Sequence, residues 1–398
     1  MPIRTSSRVI FRPSILFVSG LVACAGVASA QVTILPATTP GSYANPLAIN
    51  NAGSVVGFVS QPVPTGTLFT PAQWTGPGFN LGILAAPPGT PSGGLQNSSA
   101  NALNDVGSAV GQVAWPIPGP GGQFAGRAVR WNNGVPTDLG PIPGRLRSGA
   151  RGINNSGEVI GFGYSDFDFT TQAVRWTSTG VLQPLSFLAA DHNESFASGI
   201  NNVGRAVGYS GFLDFDFPIS RRPVSWTGTT PTDLTTPAGF NFGSATSIND
   251  AGNIVGSSIV FDPNIFEATD HRATQWSGDV PALLPLLSGF SFSSADQINA
   301  SGLVIGNMYL DSNSAFNRFD GVPVFWQNGL VIDLRALLAP SFASGTMFQI
   351  SDLNDAGQIV GTAFTPTGNF GFVTTIPAPG AVTLLAIGGL TAAKRRRR

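Results

Sequence analysis

Cysteine, histidine and lysine are almost missing from this chain. Its 398 residues contain one cysteine, Cys24, two histidines, His192 and His271, and one lysine, Lys394. A single cysteine excludes an intrachain disulfide and redox chemistry between thiols. Two histidines far apart in sequence give neither the spacing of a zinc site nor a specific Ser-His-Asp arrangement. The sequence therefore assigns no catalytic residue.

Charged residues are also scarce, at 10% of the chain, whereas glycine (50) and proline (31) together make 81 residues. Because Gly and Pro inside a helix cost roughly 1 and 3 kcal/mol each, this composition excludes a mostly helical protein. A hydrophobic content of 42% with a formal net charge of −1 argues against disorder. We expect a turn-rich all-β protein with a large core.

Residues 1–30 have the organisation of a secretory signal peptide. Three arginines precede an apolar run from Ile15 to Val27, and Ala28-Ser29-Ala30 provides a small-residue cleavage site. We expect cleavage between Ala30 and Gln31, which removes the only cysteine. The alternative is lipidation, because residues 21–24 resemble a bacterial lipobox that ends at Cys24.

Residues 377–398 form a second targeting segment. Pro377-Ala378-Pro379 precedes an apolar run, Gly380 to Ala393, and a basic end, residues 394–398. This order resembles the PEP-CTERM sorting signal, with Ala378 in place of its glutamate. The resemblance implies arrest in the membrane with the basic end in the cytoplasm, then cleavage by an exosortase-type enzyme. A plain C-terminal membrane anchor is the alternative.

Between these ends, one nine-residue pattern occurs seven times. Its form is Ile/Leu-Asn, two variable residues, Gly, a variable residue, two mostly apolar residues and Gly, and the copies end at Gly57, Gly111, Gly161, Gly208, Gly256, Gly306 and Gly361. A tryptophan follows each of the first six copies: Trp74, Trp131, Trp176, Trp226, Trp276 and Trp326. The period of about 50 residues is typical of a repeat architecture.

Each repeat predicts four strands. The Asn and the first Gly suit a type I turn followed by a left-handed residue, so the pattern joins two strands of a hairpin. Around each tryptophan, apolar residues recur at every second position, as in Val174 and Trp176, which predicts a third strand with one buried face. A polar turn then leads to a fourth strand. Four strands per repeat are typical of a β-propeller blade.

The ends of the repeat region, residues 31–376, predict how the ring closes. The seventh repeat reaches its third strand at residues 371–374, with Phe372 where the tryptophan stands in other repeats, and lacks a fourth strand. Residues 32–35 precede the first repeat where a fourth strand belongs. We predict a seven-bladed β-propeller whose N-terminal strand completes the last blade. An open β-solenoid is the alternative.

These repeats resemble the HAF family of extracellular repeats across residues 48–374. The family's His-Ala-Phe tripeptide is itself absent, and its place is taken by the residues before each tryptophan, such as Arg127-Ala128-Val129 and Gln172-Ala173-Val174. The resemblance implies an extracellular repeat protein and implies no activity.

Candidate ligand residues lie in the long loops. The repeated Asn side chains are interpreted as turn caps and the six repeat tryptophans as core, whereas Trp115 lies outside the pattern and is a candidate ligand contact. Eleven of the 21 acidic residues fall in loops predicted on one face, including two Asp-Phe-Asp-Phe segments. The candidate ligand-binding residues are Asp166, Asp168, Asp214, Asp216 and Asp270. Their carboxylates are potential Ca²⁺ ligands, and no other cofactor is expected.

The sequence thus predicts a secreted or envelope-sorted binding or structural module whose ligand, such as an extracellular polysaccharide, meets the long-loop face. The alternative is an extracellular polysaccharide hydrolase or lyase that uses carboxylates of that face. Eight of the 20 basic residues and none of the 21 acidic ones lie in the two end segments, so the repeat region carries a net charge of −9. Nucleic acid is therefore not an expected partner.

Overall fold

The computed structural model describes residues 31–64, 66–89, 98–116, 124–214, 217–262, 267–310 and 321–376. The predicted leader with its cleavage site at Ala30, Asp216, and the segment from Pro377 onward lie outside this part of the chain. Within it, no helix is long and apolar enough to cross a membrane.

The described residues form 28 strands. Twenty of them make five antiparallel sheets of four strands, and the eight strands within residues 99–184 make one sheet, in which two antiparallel units of four are joined by a parallel bridge between Arg147 and Gly126. The first three units comprise β2 (Tyr43–Ile49), β3 (Val55–Val63), β4 (Gly66–Thr75) and β5 (Asn80–Ile83); β6 (Ser99–Leu103), β7 (Ala109–Pro116), β8 (Phe124–Asn132) and β9 (Val135–Asp138); β10 (Arg147–Ile153), β11 (Val159–Tyr164), β12 (Thr171–Trp176) and β13 (Leu182–Pro184). The next two comprise β14 (Glu194–Ile200), β15 (Arg205–Asp214), β16 (Phe217–Thr227) and β17 (Thr230–Asp233); β18 (Phe242–Ile248), β19 (Ile254–Asp262), β20 (Glu267–Ser277) and β21 (Val280–Leu283). The last two comprise β22 (Phe292–Ile298), β23 (Val304–Tyr309), β24 (Val322–Gln327) and β25 (Leu330–Asp333); β26 (Met347–Leu353), β27 (Gln358–Thr365), β28 (Gly368–Thr375) and β1 (Thr33–Ile34).

We call these units blades 1 to 7 in that order, and the four strands of a blade inner, second, third and outer. In blade 7 the outer strand is β1, which pairs antiparallel with β28 through Thr33 opposite Val373 and Ile34 opposite Phe372. The N–H of Leu35 continues the pairing by donating to the carbonyl of Gly371 at 2.8 Å. The predicted exchange of an N-terminal strand is therefore confirmed.

Buried asparagines link all the blades into a cycle. In each copy of the pattern the asparagine Oδ1 accepts the N–H four residues later at 2.8–3.0 Å, which caps the hairpin turn as predicted. Its Nδ2 donates to the carbonyl of the next blade's asparagine at 2.9–3.2 Å, from Asn50 to Asn104 and onward until Asn354 returns to Asn50. This closed cycle excludes the open solenoid and gives a β-propeller.

Both glycines of the pattern are required by the backbone. In blade 5, Gly252 adopts a φ of +83°, which favours glycine in the hairpin turn. A Cβ on Gly256 would lie 2.1 Å from the carbonyl oxygen of Ser244 across the hairpin. This close approach accompanies a register shift between Ala245 and Ser247, a β-bulge that recurs in the inner strand of every blade.

A second set of contacts surrounds the asparagine cycle. In six of the seven blades, the residue after the asparagine offers a side-chain oxygen to the backbone N–H of the preceding blade. Asp105 accepts from Asn51, and Asp355 accepts from Ala300, at 2.9 and 2.8 Å. Ala300 has no side-chain oxygen for the N–H of Asp250. The outer set of contacts is therefore interrupted between blades 5 and 6.

Restoring that oxygen should stabilise the protein. We expect Ala300→Asn to raise the free energy of unfolding by about 1 kcal/mol, the usual net gain from one hydrogen bond. Urea denaturation measures the change. Ala251→Asn, at the exposed tip of the neighbouring turn, is the matched control and should leave the midpoint unchanged. Equal midpoints for both variants would contradict the expectation.

The tryptophans pack between blades, where the core clusters lie. Each of the six repeat tryptophans is buried, and its indole N–H donates to a backbone carbonyl in the linker that enters its blade, at 2.7–3.0 Å. For Trp74 the acceptor is Pro36, directly after the exchanged strand. The segment after the exchanged strand thus accepts the same tryptophan hydrogen bond as the segments after the outer strands of the other blades.

The prediction that Phe372 takes the tryptophan position is wrong. The tryptophans pair with the first residue of the pattern's Val-Val-Gly segment, and in blade 7 that residue, Ile359, pairs with Thr374. The Thr374 hydroxyl donates to the carbonyl of Gln31 at 3.2 Å. In this part of the core, the buried side chains are those of Phe372 and of Leu338 in α1 (Arg335–Leu338). Helix α1 continues into a 3₁₀ turn (Ala339–Ser341).

Candidate functional site

The antiparallel order of each blade separates two faces. The turns that join inner to second strands and third to outer strands lie at one end, which we call the short-turn face. The connections from second to third strands, and from one blade to the next, lie at the other end, which we call the loop face. Surface loops on a rigid scaffold are the usual location of binding residues.

A cavity of about 590 Å³ opens on the loop face between blades 3 and 4. We call it the loop-face pocket. Its lining combines aromatic, acidic and basic side chains: Arg145, Phe167, Asp168, Phe169, Thr170, Phe187, His192, Asn193, Leu213 and Asp214. Phe167 is 94% exposed, the highest value among the exposed large hydrophobic side chains of the described residues. A concave surface with several apolar groups and a few polar ones is typical of a binding site.

Two arginines fix the loop of residues 165–170 that forms one wall. Arg145 donates to the carbonyl and the hydroxyl of Thr170 at 2.8 and 2.7 Å, and Arg147 forms an ion pair with Asp166. Arg145 also lies 3.7 Å from Asp168. The wall is therefore held from the segment that precedes the inner strand of blade 3 and from the start of that strand.

Asp168 remains ionised under mild acid. Slight burial raises its pKa, but hydrogen bonds from Ser165 and Thr170 and the charge of Arg145 outweigh that effect and hold the pKa below its usual value. The Thr170 hydroxyl donates to Asp168 at 2.8 Å. Asp168 thus presents a fixed negative charge at the rim of the pocket.

The opposite wall belongs to blade 4 and its entry linker. Nδ1 of His192 contacts the Ser210 hydroxyl at 2.8 Å, and partial burial lowers the pKa of His192. The amide of Asn193 exchanges two hydrogen bonds of 2.8 Å with the backbone of Leu213. This exchange positions the end of β15 and, with it, exposed Asp214.

A second cavity, of about 300 Å³, lies between blades 2 and 3 on the other side of Arg147. Its lining includes Phe162 and Tyr164, and the guanidinium of Arg147 lies 4.5 Å from the centre of the Tyr164 ring. Gly126, in the third strand of blade 2, faces this space. The equivalent residues in the third strands of blades 4 and 5 are Arg221 and His271, which have large side chains. The small residue helps to leave the cavity open.

The structure brings together some of the predicted ligand residues and separates others. Asp168 and Asp214 line the same pocket, and Asp166 lies beside it in its ion pair with Arg147. Asp270 lies in β20 of blade 5, outside the lining of this pocket. Trp115 is a half-buried residue of β7, next to Ala114 of the second cavity, and does not line it. Asp216 lies outside the described residues.

Arg145, Arg147 and Phe187 were not singled out from the sequence. A signal for the arginines exists, because Arg145-Leu146-Arg147 and Asp166-Phe167-Asp168 repeat opposite charges with the same two-residue spacing. Two charge pairs with this spacing are compatible with two ion pairs between antiparallel segments, which the structure forms as Arg147 with Asp166 and Arg145 with Asp168. Phe187 carries no such signal, since a linker phenylalanine is equally compatible with burial.

Residues 191–194 combine an aspartate, a histidine, an asparagine and a glutamate, and the fold separates His192, which lines the pocket, from Glu194, which does not. Glu194 is buried and accepts hydrogen bonds from the hydroxyls of Thr171 and Tyr209 at 3.2 and 3.1 Å. Burial raises the pKa of Tyr209 to about 12, and Arg221 lies 4.2 Å from the centre of its ring. Glu194 therefore supports the scaffold and does not enter the pocket.

Two of the carboxylates proposed as calcium ligands have protein partners. Asp166 pairs with Arg147, and Asp168 accepts hydrogen bonds from Thr170. Over the described residues, no group of three or more His, Cys, Asp or Glu side chains has an arrangement suited to a metal ion. A Ca²⁺ ion bound between Asp166 and Asp168 would compete with Arg145 and Arg147.

The comparisons with known proteins identify the fold. No protein-family model and no curated protein matches the sequence. Among solved structures, the β-propeller domain of the Trilobed protease from Pyrococcus furiosus superposes with a TM-score of 0.53 at 10% identity, covering 85% of this chain and 96% of that one. An oligogalacturonate lyase in complex with manganese gives 0.51 at 12% identity, covering 88% and 94%. At these identities the likeness shows the β-propeller fold alone.

Proposed function

We propose that this protein is a secreted, envelope-associated binding module that holds a segment of extracellular polysaccharide in its loop-face pocket. The observation that carries the proposal is the composition of that pocket. Three phenylalanines and two carboxylates, contributed by blades 3 and 4 and their linker, share one cavity of about 590 Å³. Exposed aromatic rings beside fixed acceptors suit a ligand with both C–H faces and hydroxyl groups.

The chemistry of a sugar ring fits these groups. Phe167 and Phe169 are exposed and offer apolar faces to the C–H side of a sugar. Asp168 and Asp214 accept hydrogen bonds from hydroxyl groups, and a charged acceptor makes the stronger bond. Arg145, although bonded to Thr170, adds a cationic donor at the same wall.

The proposed location follows from the two ends of the chain. The N-terminal segment directs secretion, and the C-terminal apolar run with its basic end retains the protein at the membrane before processing by an exosortase-type partner. The HAF-like repeats fit an extracellular setting. The net charge of −9 on the repeat region favours neutral or cationic ligands over nucleic acid.

Binding to a panel of purified extracellular polysaccharides, followed by calorimetry, tests the proposal. We expect Phe167→Ser and Asp214→Asn each to weaken binding about tenfold, equivalent to 1.4 kcal/mol. Matched controls are Phe370→Ser in blade 7 and Asp270→Asn in blade 5, which lie away from the pocket and should bind normally.

Loss of binding in the control variants as well, or normal binding in both pocket variants, contradicts the proposed site. Release of shortened chains, abolished by Asp168→Asn or Asp214→Asn, would replace the binding module by the alternative hydrolase or lyase. A thermal melt with saturating Ca²⁺ tests the calcium prediction, because a bound ion raises the melting temperature.

A further inference from the structure

Five of the seven inner-turn tips on the short-turn face are valine or alanine. The tips of the seven inner turns are exposed and uncharged, and they are Ala52, Val106, Ser156, Val203, Ala251, Ser301 and Ala356. Val106 and Val203 are 69% and 77% exposed. The turns between third and outer strands add four more exposed aliphatic residues, Val135, Val181, Val280 and Leu330.

The charges on this face are engaged within the protein. Arg175 pairs with Glu158, and Arg205 pairs with Asp279. Burial raises the pKa of Glu158, but hydrogen bonds from Arg175 and other neighbours outweigh it, so the net pKa is lowered. The carboxylates around the axis, such as Asp105, accept hydrogen bonds from adjacent turns. The face therefore carries little free positive charge, and its aliphatic tips stand among polar and acidic side chains.

The chain leaves the propeller from this same face. Ile376 donates its N–H to the carbonyl of Gly357, in the inner turn of blade 7, at 2.8 Å. The N-terminal end of the described chain, Gln31, is bonded to Thr374 close by. Three residues, 377–379, then separate Ile376 from the apolar run of residues 380–393. Fully extended, they reach about 11 Å at most.

We propose that the short-turn face rests on the surface of a lipid bilayer, with the loop-face pocket directed away from it. The proposal depends on the envelope association stated above and adds an orientation and a contact surface. The short connection forces the point of exit to within about 11 Å of the place where the apolar run enters the lipid. A rigid propeller attached so closely brings its aliphatic tips to the interface.

The length of the apolar run favours this contact. Fourteen residues in a helix extend about 21 Å, less than the ~30 Å hydrocarbon thickness of a bilayer. Hydrophobic segments shorter than the hydrocarbon thickness are generally accommodated by local thinning of the bilayer, which brings the attached protein closer to the headgroups. The axial carboxylates make a zwitterionic lipid surface the better match than an anionic one.

Site-specific fluorescence on the full-length chain tests the orientation. In a Cys24→Ser background, Val203→Cys places one label on the short-turn face and Phe167→Cys places one on the loop face, both at highly exposed positions. The vesicles are phosphatidylcholine with a nitroxide-labelled phosphatidylcholine as quencher. We expect the label at position 203 to shift to shorter wavelength and lose most of its emission, while the label at position 167 is unchanged.

Three outcomes overturn the proposal: equal quenching at both positions, quenching only at position 167, or no binding to vesicles. A spectral shift of the label at position 203 without lipid also overturns the proposal, because the face is then covered by a second copy of the protein or by its own C-terminal tail. Sedimentation velocity distinguishes a dimer from a monomer. Val106→Asp with Val203→Asp should weaken vesicle binding about tenfold, whereas Phe167→Asp should not. Polysaccharide binding is measured without lipid, so its failure is independent of this result.

Discussion

Replacing Leu35 with alanine should destabilise the whole propeller by about 2–5 kcal/mol, the usual range for a buried leucine. Leu35 is 2% exposed and packs with Trp74 of blade 1 and Val373 of blade 7. Its position is equivalent to that of the leucines that directly follow the other outer strands. Leu234 is one of these, and its N–H donates in the same way to the third strand at 3.1 Å. The effect should therefore match that of Leu234→Ala.

The comparison with Leu234 tests how tightly the exchanged strand is held. The outer strand of blade 4 is covalently joined to its own third strand, whereas β1 reaches blade 7 only through noncovalent contacts and its link to blade 1. If β1 were loosely attached, Leu35→Ala would cost much less than Leu234→Ala. Equal costs indicate that strand exchange closes the ring as firmly as a hairpin does.

Ile34→Ala is the matched control, because Ile34 belongs to the same strand and is 46% exposed. We expect it to cost less than about 1 kcal/mol, as most surface substitutions do. Urea denaturation of the three variants gives the free energies. Indistinguishable midpoints for Leu35→Ala and Ile34→Ala would contradict the role of β1, as would an unchanged melting temperature after deletion of residues 32–35.

The repeat pattern predicted the blades because each of its residues satisfies a local requirement. Gly252 has a positive φ, Gly256 meets a carbonyl, and Asn249 caps its turn, so these positions tolerate few alternatives. What the pattern did not predict is the second function of Asn249, which donates to Asn299 in the next blade. That contact depends on the curvature of the ring, which no single repeat encodes.

The error at Phe372 has a similar cause. The connection between second and third strands varies in length, so counting from the glycine of the pattern does not locate the tryptophan position. Only the pairing of Ile359 with Thr374 does so. The candidate site was predicted in part for the same reason. Asp168 lies between the second and third strands of blade 3, and Asp214 ends the second strand of blade 4, so both are near equivalent connections, whereas the position of Arg145 depends on a linker whose path is set by the assembled fold.

The pH dependence of stability should arise from two titrating groups of opposite effect. Asp352, in the inner strand of blade 7, accepts the N–H of Ile49 in blade 1 at 2.9 Å. Burial raises its pKa to about 7. The folded state therefore binds one proton more than the unfolded state between about pH 4 and 7, so stability falls as pH rises through this range. We expect this loss to be about 2–4 kcal/mol. The upper value corresponds to the full pKa shift, and the range extends below it because Asp352 keeps some accessible surface.

His271 acts in the opposite direction. Its Nδ1 is buried and has no hydrogen-bond partner among the described residues, and burial lowers its pKa to about 4. Between about pH 4 and 6.5 the unfolded state binds the extra proton, so stability rises with pH. His192, with its pKa also lowered by burial, adds in the same direction. In the native protein the slopes from Asp352 and from the histidines largely cancel between pH 5 and 6.5.

Single substitutions should separate the two slopes. In Asp352→Asn, the contribution that lowers stability as pH rises is lost, so we expect stability to increase from pH 5 to 6.5. In His271→Gln, a contribution that raises stability with pH is lost, so we expect stability to decrease from pH 5 to 7. Asp355→Asn, three residues from Asp352 and exposed, should follow the native curve. Urea midpoints measured from pH 5 to 8 give the slopes, and a uniform loss of stability in either variant does not affect them. Curves parallel to that of the native protein would show that neither group titrates with an altered pKa on folding.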